Sequence, residues 1–205
     1  MGQLSTLPES EMDFLNRMFS KDVKNYHVWS YRQWLVRHFS LWDKELSFVE
    51  QLLDEDVRNN SAWNHRWFVV FGRSLDPAKQ NVGSSRTSVD MDESILEREI
   101  EFTKTKIDKA PQNQSPWIYL RGILRHKGDA FLNLKGFVEQ YASLEKDGTV
   151  RSSHGLELLV DIYAKQNEYE KSATALSMLS DKYDPIRKNY WDYKKKSLGL
   201  LEIRS

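Results

Sequence analysis

One motif, Asn-x-x-x-Trp-x-x-Arg, recurs along this 205-residue chain at the beat of a helix hairpin, and that beat restricts the fold more than any other feature. Its first copies, DVKNYHVWSYRQW and DVRNNSAWNHRWF, share Asp-Val, then Asn25 or Asn59, Trp29 or Trp63, and Arg32 or Arg66. A third, APQNQSPWIYLRG, keeps Asn113 and Trp117 but holds its basic residue at Arg121, one place late. A fourth, DPIRKNYWDYKKK, keeps Trp191, with Arg187 in the asparagine position and Lys194 in that of the arginine. Trp29 and Trp63 stand 34 residues apart, the length of a helix–turn–helix repeat. The next interval, 54, is one repeat plus the 20 residues of SLDPAKQNVGSSRTSVDMDE, a Gly/Ser/Pro/Asn stretch without periodicity. The last, 74, has room for two units, with SSHGLELLVDIYAKQ as a degenerate helix between them. The expectation is a single all-α repeat domain over residues 1–205, an α–α superhelix in the form of a right-handed crescent solenoid. It has about five helix hairpins and a flexible insertion at about 74–91.

Each unit reads as two helices. Apolar residues at three- and four-residue spacing predict first helices around Ser10–Ser20, Asp43–Asp54, Ile95–Lys109, Phe131–Glu145 and Glu170–Lys182. Each second helix opens at the motif asparagine, whose side-chain oxygen can accept from first-turn amides. Asp90 with Glu93 has the spacing of a capping box for the helix after the insertion. Trp29 and Arg32 are three apart and share a helix face. The tryptophans are expected to wedge between helices, and the arginines to bond carbonyls of the preceding turn. The repeated residues Asn25, Trp29, Arg32, Asn59, Trp63, Arg66, Asn113, Trp117 and Trp191 are thus read as architecture.

Composition narrows the function. There is no Cys, which removes disulfides, thiolate catalysis and Cys-ligated metal, and suits a reducing, cytoplasmic setting. Thirty basic residues balance 30 acidic ones, so no nucleic-acid-binding excess of charge exists. No apolar run approaches the roughly 20 residues that cross a bilayer, and the start MGQLSTLPESE is not a secretory signal. His38, His65, His126 and His154 form no metal spacing, and Asp90, Asp92 and Glu93 lack the pattern of a calcium loop. Lys194, Lys195 and Lys196 read as cations complementing a helix C-terminus.

The best candidate site is Lys24-Asn25-Tyr26-His27. A helix N-terminus offers free amides and a positive dipole end, and Tyr and His add donors suited to a phosphate. The alternative is that Tyr26 and His27 are ordinary first-turn residues satisfied by the protein itself. In the second unit, Arg58 and Asn60 read as polar, partner-facing groups, as do Tyr26 and His27.

The runs KNYHVWSYRQWLV and LWDKELSFVEQLLDEDVRNNSAWNHRWFVV resemble the repeats of protein prenyltransferase α subunits. The likeness is to the type shared by farnesyltransferase and type I geranylgeranyltransferase. LEREIEFTKTKIDKAPQNQSPWIYLRGIL, LVDIYAKQ and IRKNYWDYKKKSL extend the resemblance over most of the chain. It implies one subunit of a heterodimer, wrapped on a β subunit that carries zinc, with magnesium a further ion for the farnesyl enzyme. The reaction implied is transfer of farnesyl or geranylgeranyl from its diphosphate to the C-terminal cysteine of a CaaX-tailed protein. Lys24, Tyr26 and His27 would lie near that diphosphate, and no metal ligand falls on this chain. Family members carry further N-terminal repeats, so the chain reads as a C-terminal portion, inactive in isolation. Two other readings stand beside this one: a tetratricopeptide-like peptide-binding scaffold, and the α subunit of Rab geranylgeranyltransferase.

Overall fold

The computed structural model describes residues 7–73, 92–126, 132–145 and 149–199. It divides into two compact units, Met1–Asp90 and Met91–Ser205. The first holds α1 (Glu9–Lys21), α2 (Tyr26–His38), α3 (Glu45–Glu55) and α4 (Asn60–Gly72). The second holds α5 (Glu93–Lys109), α6 (Gln114–Leu124), α7 (Lys135–Glu139), α8 (Ser153–Lys165), α9 (Tyr169–Met178) and α10 (Lys188–Ser197). Taken in pairs these are five hairpins. Apart from one isolated antiparallel bridge, Ala142 to Val150, the described residues contain no strand pairing. The insertion expected over 74–91 lies outside the described residues.

The motif builds the turn inside each hairpin. In the first, α1 ends when the Asp22 amide bonds the Met18 carbonyl. The Asp22 side chain accepts the Lys24 amide at 2.9 Å, and the Asp22 carbonyl accepts the Asn25 amide. Asn25 then caps α2, its Oδ1 accepting the amides of His27 at 3.0 Å and Val28 at 3.3 Å. Four residues on, the Trp29 indole Nε1 donates back to the Val23 carbonyl at 2.7 Å and staples the turn to the helix. The second hairpin repeats this with Asp56, Arg58, Asn59, Ala62 and the bond from Trp63 to the Val57 carbonyl. The third repeats the cap at Asn113 and the bond from Trp117 to the Pro111 carbonyl. Trp191 does the same to the Asp184 carbonyl, one residue further back. All four indoles are buried, so each combines a large apolar contact with a satisfied N–H.

The carbonyl-binding role expected of the arginines belongs to the tryptophans. Arg32 instead grips Glu45 of α3 through Nε at 2.9 Å and Nη2 at 2.7 Å, and Arg66 reaches Glu50 at 3.0 Å. A guanidinium on the second helix projects across to a neighbouring first helix, beyond its own preceding turn. A second correction concerns the helix after the insertion. Asp90 lies outside the described residues, and the cap of α5 is Asp92, whose side chain accepts the Ser94 amide.

The fourth hairpin departs most from expectation. The helix expected over Phe131–Glu145 is reduced to the five residues of α7. The Tyr141 carbonyl is taken by the amides of Arg151 and Ser152, which pulls the chain out of helical register. Its second helix lacks the motif, and substitutes supply the parts: Ser152 caps α8 through the Gly155 amide, and buried Leu156 fills the tryptophan position. Gly155 itself is a matter of space, because a Cβ there would meet the Trp117 ring at 3.2 Å. The fifth hairpin begins with α9, whose last turn widens into a π-turn over Leu179–Tyr183.

Candidate functional site

The interhelical turns of the first unit place the sequence-expected residues at the N-terminal ends of α2 and α4. Lys24 sits in the turn before α2, and Tyr26 and His27 open the helix. Tyr26 is 76% exposed, His27 is exposed, and their rings meet edge to face at 5.6 Å. Asp56 ties this turn to the next: its Oδ1 accepts the Arg58 amide at 2.9 Å, and its Oδ2 lies 3.3 Å from the Lys24 ammonium. Lys24, Tyr26 and His27 thereby share one end of the unit with Arg58 and Asn60, all of them exposed.

Two of the amides that the sequence offers to an anion are already used, because Asn25 Oδ1 takes the His27 and Val28 N–H groups. What the turn presents outward is therefore side-chain chemistry: an ammonium, a phenol and an imidazole. The Lys24–Asp56 pair is half-exposed on both sides and worth little in water, so an incoming anion can draw the lysine away at small cost. Three donors converging from one turn suit an oxyanion with several oxygens.

The remaining histidines serve other ends. His65 is fully buried, its Nε2 donating to Glu45 Oε2 at 2.6 Å beside the Arg32 guanidinium. Burial pushes the imidazole below its ordinary value, against the pull of Glu45. Burial also pushes the Glu45 carboxyl up, but hydrogen bonds from His65 and Arg32 bring it below the usual range. The pair is thus carboxylate and neutral imidazole. His38 stacks flat on Trp34 at 4.7 Å. Among the described residues, no group of three or more His, Cys, Asp or Glu side chains could hold a metal ion.

One repeating element escaped the sequence reading. In the first three hairpins the residue six places after the motif asparagine bonds a glutamate 20 residues earlier. Tyr31 donates to Glu11 at 2.8 Å, His65 to Glu45, and Tyr119 to Glu99 at 2.7 Å. The signal was present as a glutamate and an aromatic or histidine at constant separation in all three copies. Arg121, one place late, is rotated by about 100° from its repeat position. It pairs with Glu157 at 2.7 Å and with Asp161 of α8, while Leu120 fills the buried place it vacates.

Tandem helix hairpins stapled by a capping asparagine and a buried indole define a helical-repeat protein whose second helices expose a donor-bearing turn. Residues 8–39, 42–72 and 96–127 match the family described as "Protein prenyltransferase alpha subunit repeat", which coincides with the first three hairpins. The chain is 43% identical over 188 residues to a Candida albicans protein farnesyltransferase/geranylgeranyltransferase type-1 subunit alpha, covering 91% of this chain and 56% of that one. The Dictyostelium discoideum subunit of the same name is 37% identical over 104 residues, covering 49% of this chain and 32% of its own length. Among solved structures, Candida albicans protein geranylgeranyltransferase-I complexed with GGPP superposes with a TM-score of 0.79 at 41% identity, over 95% of this chain and 60% of the other. The chain belongs to the protein prenyltransferase alpha subunit repeat family. It spans about half the length of the curated relatives it matches, 56% of one and 32% of the other.

Proposed function

We propose that this chain acts as the α subunit of a heterodimeric CaaX protein prenyltransferase in the cytoplasm, scaffolding a β subunit and lending donors to the isoprenoid diphosphate. The observation that carries the reading is the Lys24-Tyr26-His27 turn, exposed at the end of a hairpin whose repeat is that of relatives named as this subunit. Farnesyl or geranylgeranyl transfer to a cysteine thiolate leaves diphosphate, and negative charge grows on its oxygens as the allylic C–O bond breaks. Donors set around that charge favour the transition state over the bound substrate. Lys24 would leave Asp56 for the diphosphate, with the Tyr26 hydroxyl and His27 imidazole supplying directed hydrogen bonds. Zinc, held by the β subunit, supplies thiolate activation; no residue of this chain is assigned to it. Magnesium, where the farnesyl enzyme uses it, belongs with the diphosphate.

The test is co-expression with a type I or farnesyl β subunit. A stable heterodimer is expected, and failure of the two chains to co-purify would remove the proposal. Within the heterodimer, His27→Ala and Tyr26→Phe should each lower kcat/KM by about tenfold to a hundredfold, the worth of a hydrogen bond to a charged group. Unchanged kinetics in both variants would remove the diphosphate role and leave only the scaffold.

A further inference from the structure

The 34-residue register lets one interface predict another. Where the first hairpin meets the second, Glu45 receives two bonds from Arg32 of the preceding hairpin and one from His65 of its own. The same guanidinium lies flat over Phe48, its central carbon 3.5 Å from the ring centroid. Arg37 lies over Phe68 at 4.8 Å, and Phe68 is only 7% exposed. Glu45, Phe48, His65 and Phe68 therefore form a seat for the arginine-bearing face of the hairpin before them.

One register earlier the same seat exists. Glu11, Phe14, Tyr31 and Trp34 occupy the equivalent positions in α1 and α2. The own-hairpin bond is made, Tyr31 to Glu11 at 2.8 Å. The bond from a preceding arginine is not: among the described residues no cation pairs with Glu11. Phe14 is 43% exposed and Trp34 52%, the latter held flat by stacking on Tyr31 at 5.9 Å and His38 at 4.7 Å. A half-covered tryptophan and phenylalanine beside an unsaturated carboxylate are poor solvent-facing surface and good interface.

We propose that the α1–α2 face bearing Glu11, Phe14 and Trp34 docks one further hairpin of the same Asn-x-x-x-Trp-x-x-Arg type, whose arginine seats on Glu11 across the Phe14 ring. Continuity with the interface between the first and second hairpins names this occupant. A second copy stacking head to tail fits badly, since its last hairpin carries Lys194 in the arginine position and Asp161 already holds that lysine at 2.8 Å. The inference uses only the first unit and is independent of prenyl transfer.

A full-length chain with residues 8–41 repeated once more ahead of Pro8 preserves the register and supplies the missing arginine. Replacing the copy's own equivalents of Phe14 and Trp34 with serine leaves the original positions as the reporters for hydroxyl-radical footprinting. Oxidation of Phe14 and Trp34 should drop to the level of Phe48 and Phe68. It should return when the copy's arginine is changed to methionine, or when the original Glu11 is changed to glutamine. A folded extra hairpin that leaves both residues as reactive as in the unextended chain overturns the proposal. So does an extra hairpin that stays unfolded on this face. Concentration-dependent protection of Phe14 and Trp34 in the unextended chain also overturns it, by making a second copy the occupant.

Discussion

At the scale of single residues, the arrangement around Glu45 shows how a repeat joins its neighbours. Glu45 is 2% exposed and takes Arg32 bidentately from one side and His65 from the other, so three helices meet on one carboxylate. The Glu45→Gln substitution keeps the shape but leaves a buried guanidinium without its counter-charge. It should cost about 3–5 kcal/mol, read from urea unfolding followed by circular dichroism. The same cluster sets a pH dependence. Because the folded imidazole of His65 titrates below 6.5, the unfolded chain binds a proton that the folded one refuses. Stability should therefore be full above pH 6.5 and fall as the pH drops beneath it. His154, also held down mainly by burial, adds to the loss with the same sign. Glu45 extends it below 4.5, where the unfolded carboxyl takes a proton first. His65→Gln should flatten the slope just below pH 6.5 without abolishing it; an unchanged slope would show that His65 does not titrate as its burial requires.

At the scale of the helix, the caps and the close approaches carry the specificity. Asn59 is 1% exposed and its oxygen serves the buried Ala62 amide, whereas Asn25 is only half-buried. Asn59→Ala should destabilise by about 1–2 kcal/mol and Asn25→Ala by less, a difference visible in paired denaturation curves. In α8 the constraint is steric. Gly155→Val would drive methyl groups into the Trp117 ring, already 3.2 Å from the nearest added carbon, and should cost about 1–3 kcal/mol. Recovery of stability on pairing it with Trp117→Leu would identify the clash as the cause.

At the scale of the molecule, one design recurs from the first unit to the second. The indole N–H groups of Trp29, Trp63, Trp117 and Trp191 each donate to a turn carbonyl from a buried position, while Trp34 is half-exposed. Of the seven tryptophans, those four should therefore show indole signals that exchange with deuterium only as their units unfold, and Trp34 one that exchanges at once. Much of this was legible in one dimension. Recurrence at 34 residues announced the hairpins, the asparagines announced the helix starts, and the spacing of Trp117 from Trp63 announced where the insertion falls, because caps and periodic apolar faces are local properties of a helix. The Lys24-Tyr26-His27 turn was equally readable, being contiguous. Partner choice was not. That Trp29 takes the Val23 carbonyl while Arg32 crosses to Glu45, that Asn25 uses up two amides otherwise open to an anion, and that Tyr141 unwinds the expected fourth helix follow from which groups approach in space. A repeat specifies its own hairpin through neighbours along the chain, whereas side-chain reach between hairpins depends on how helices lie against one another, and only the packed structure decides that.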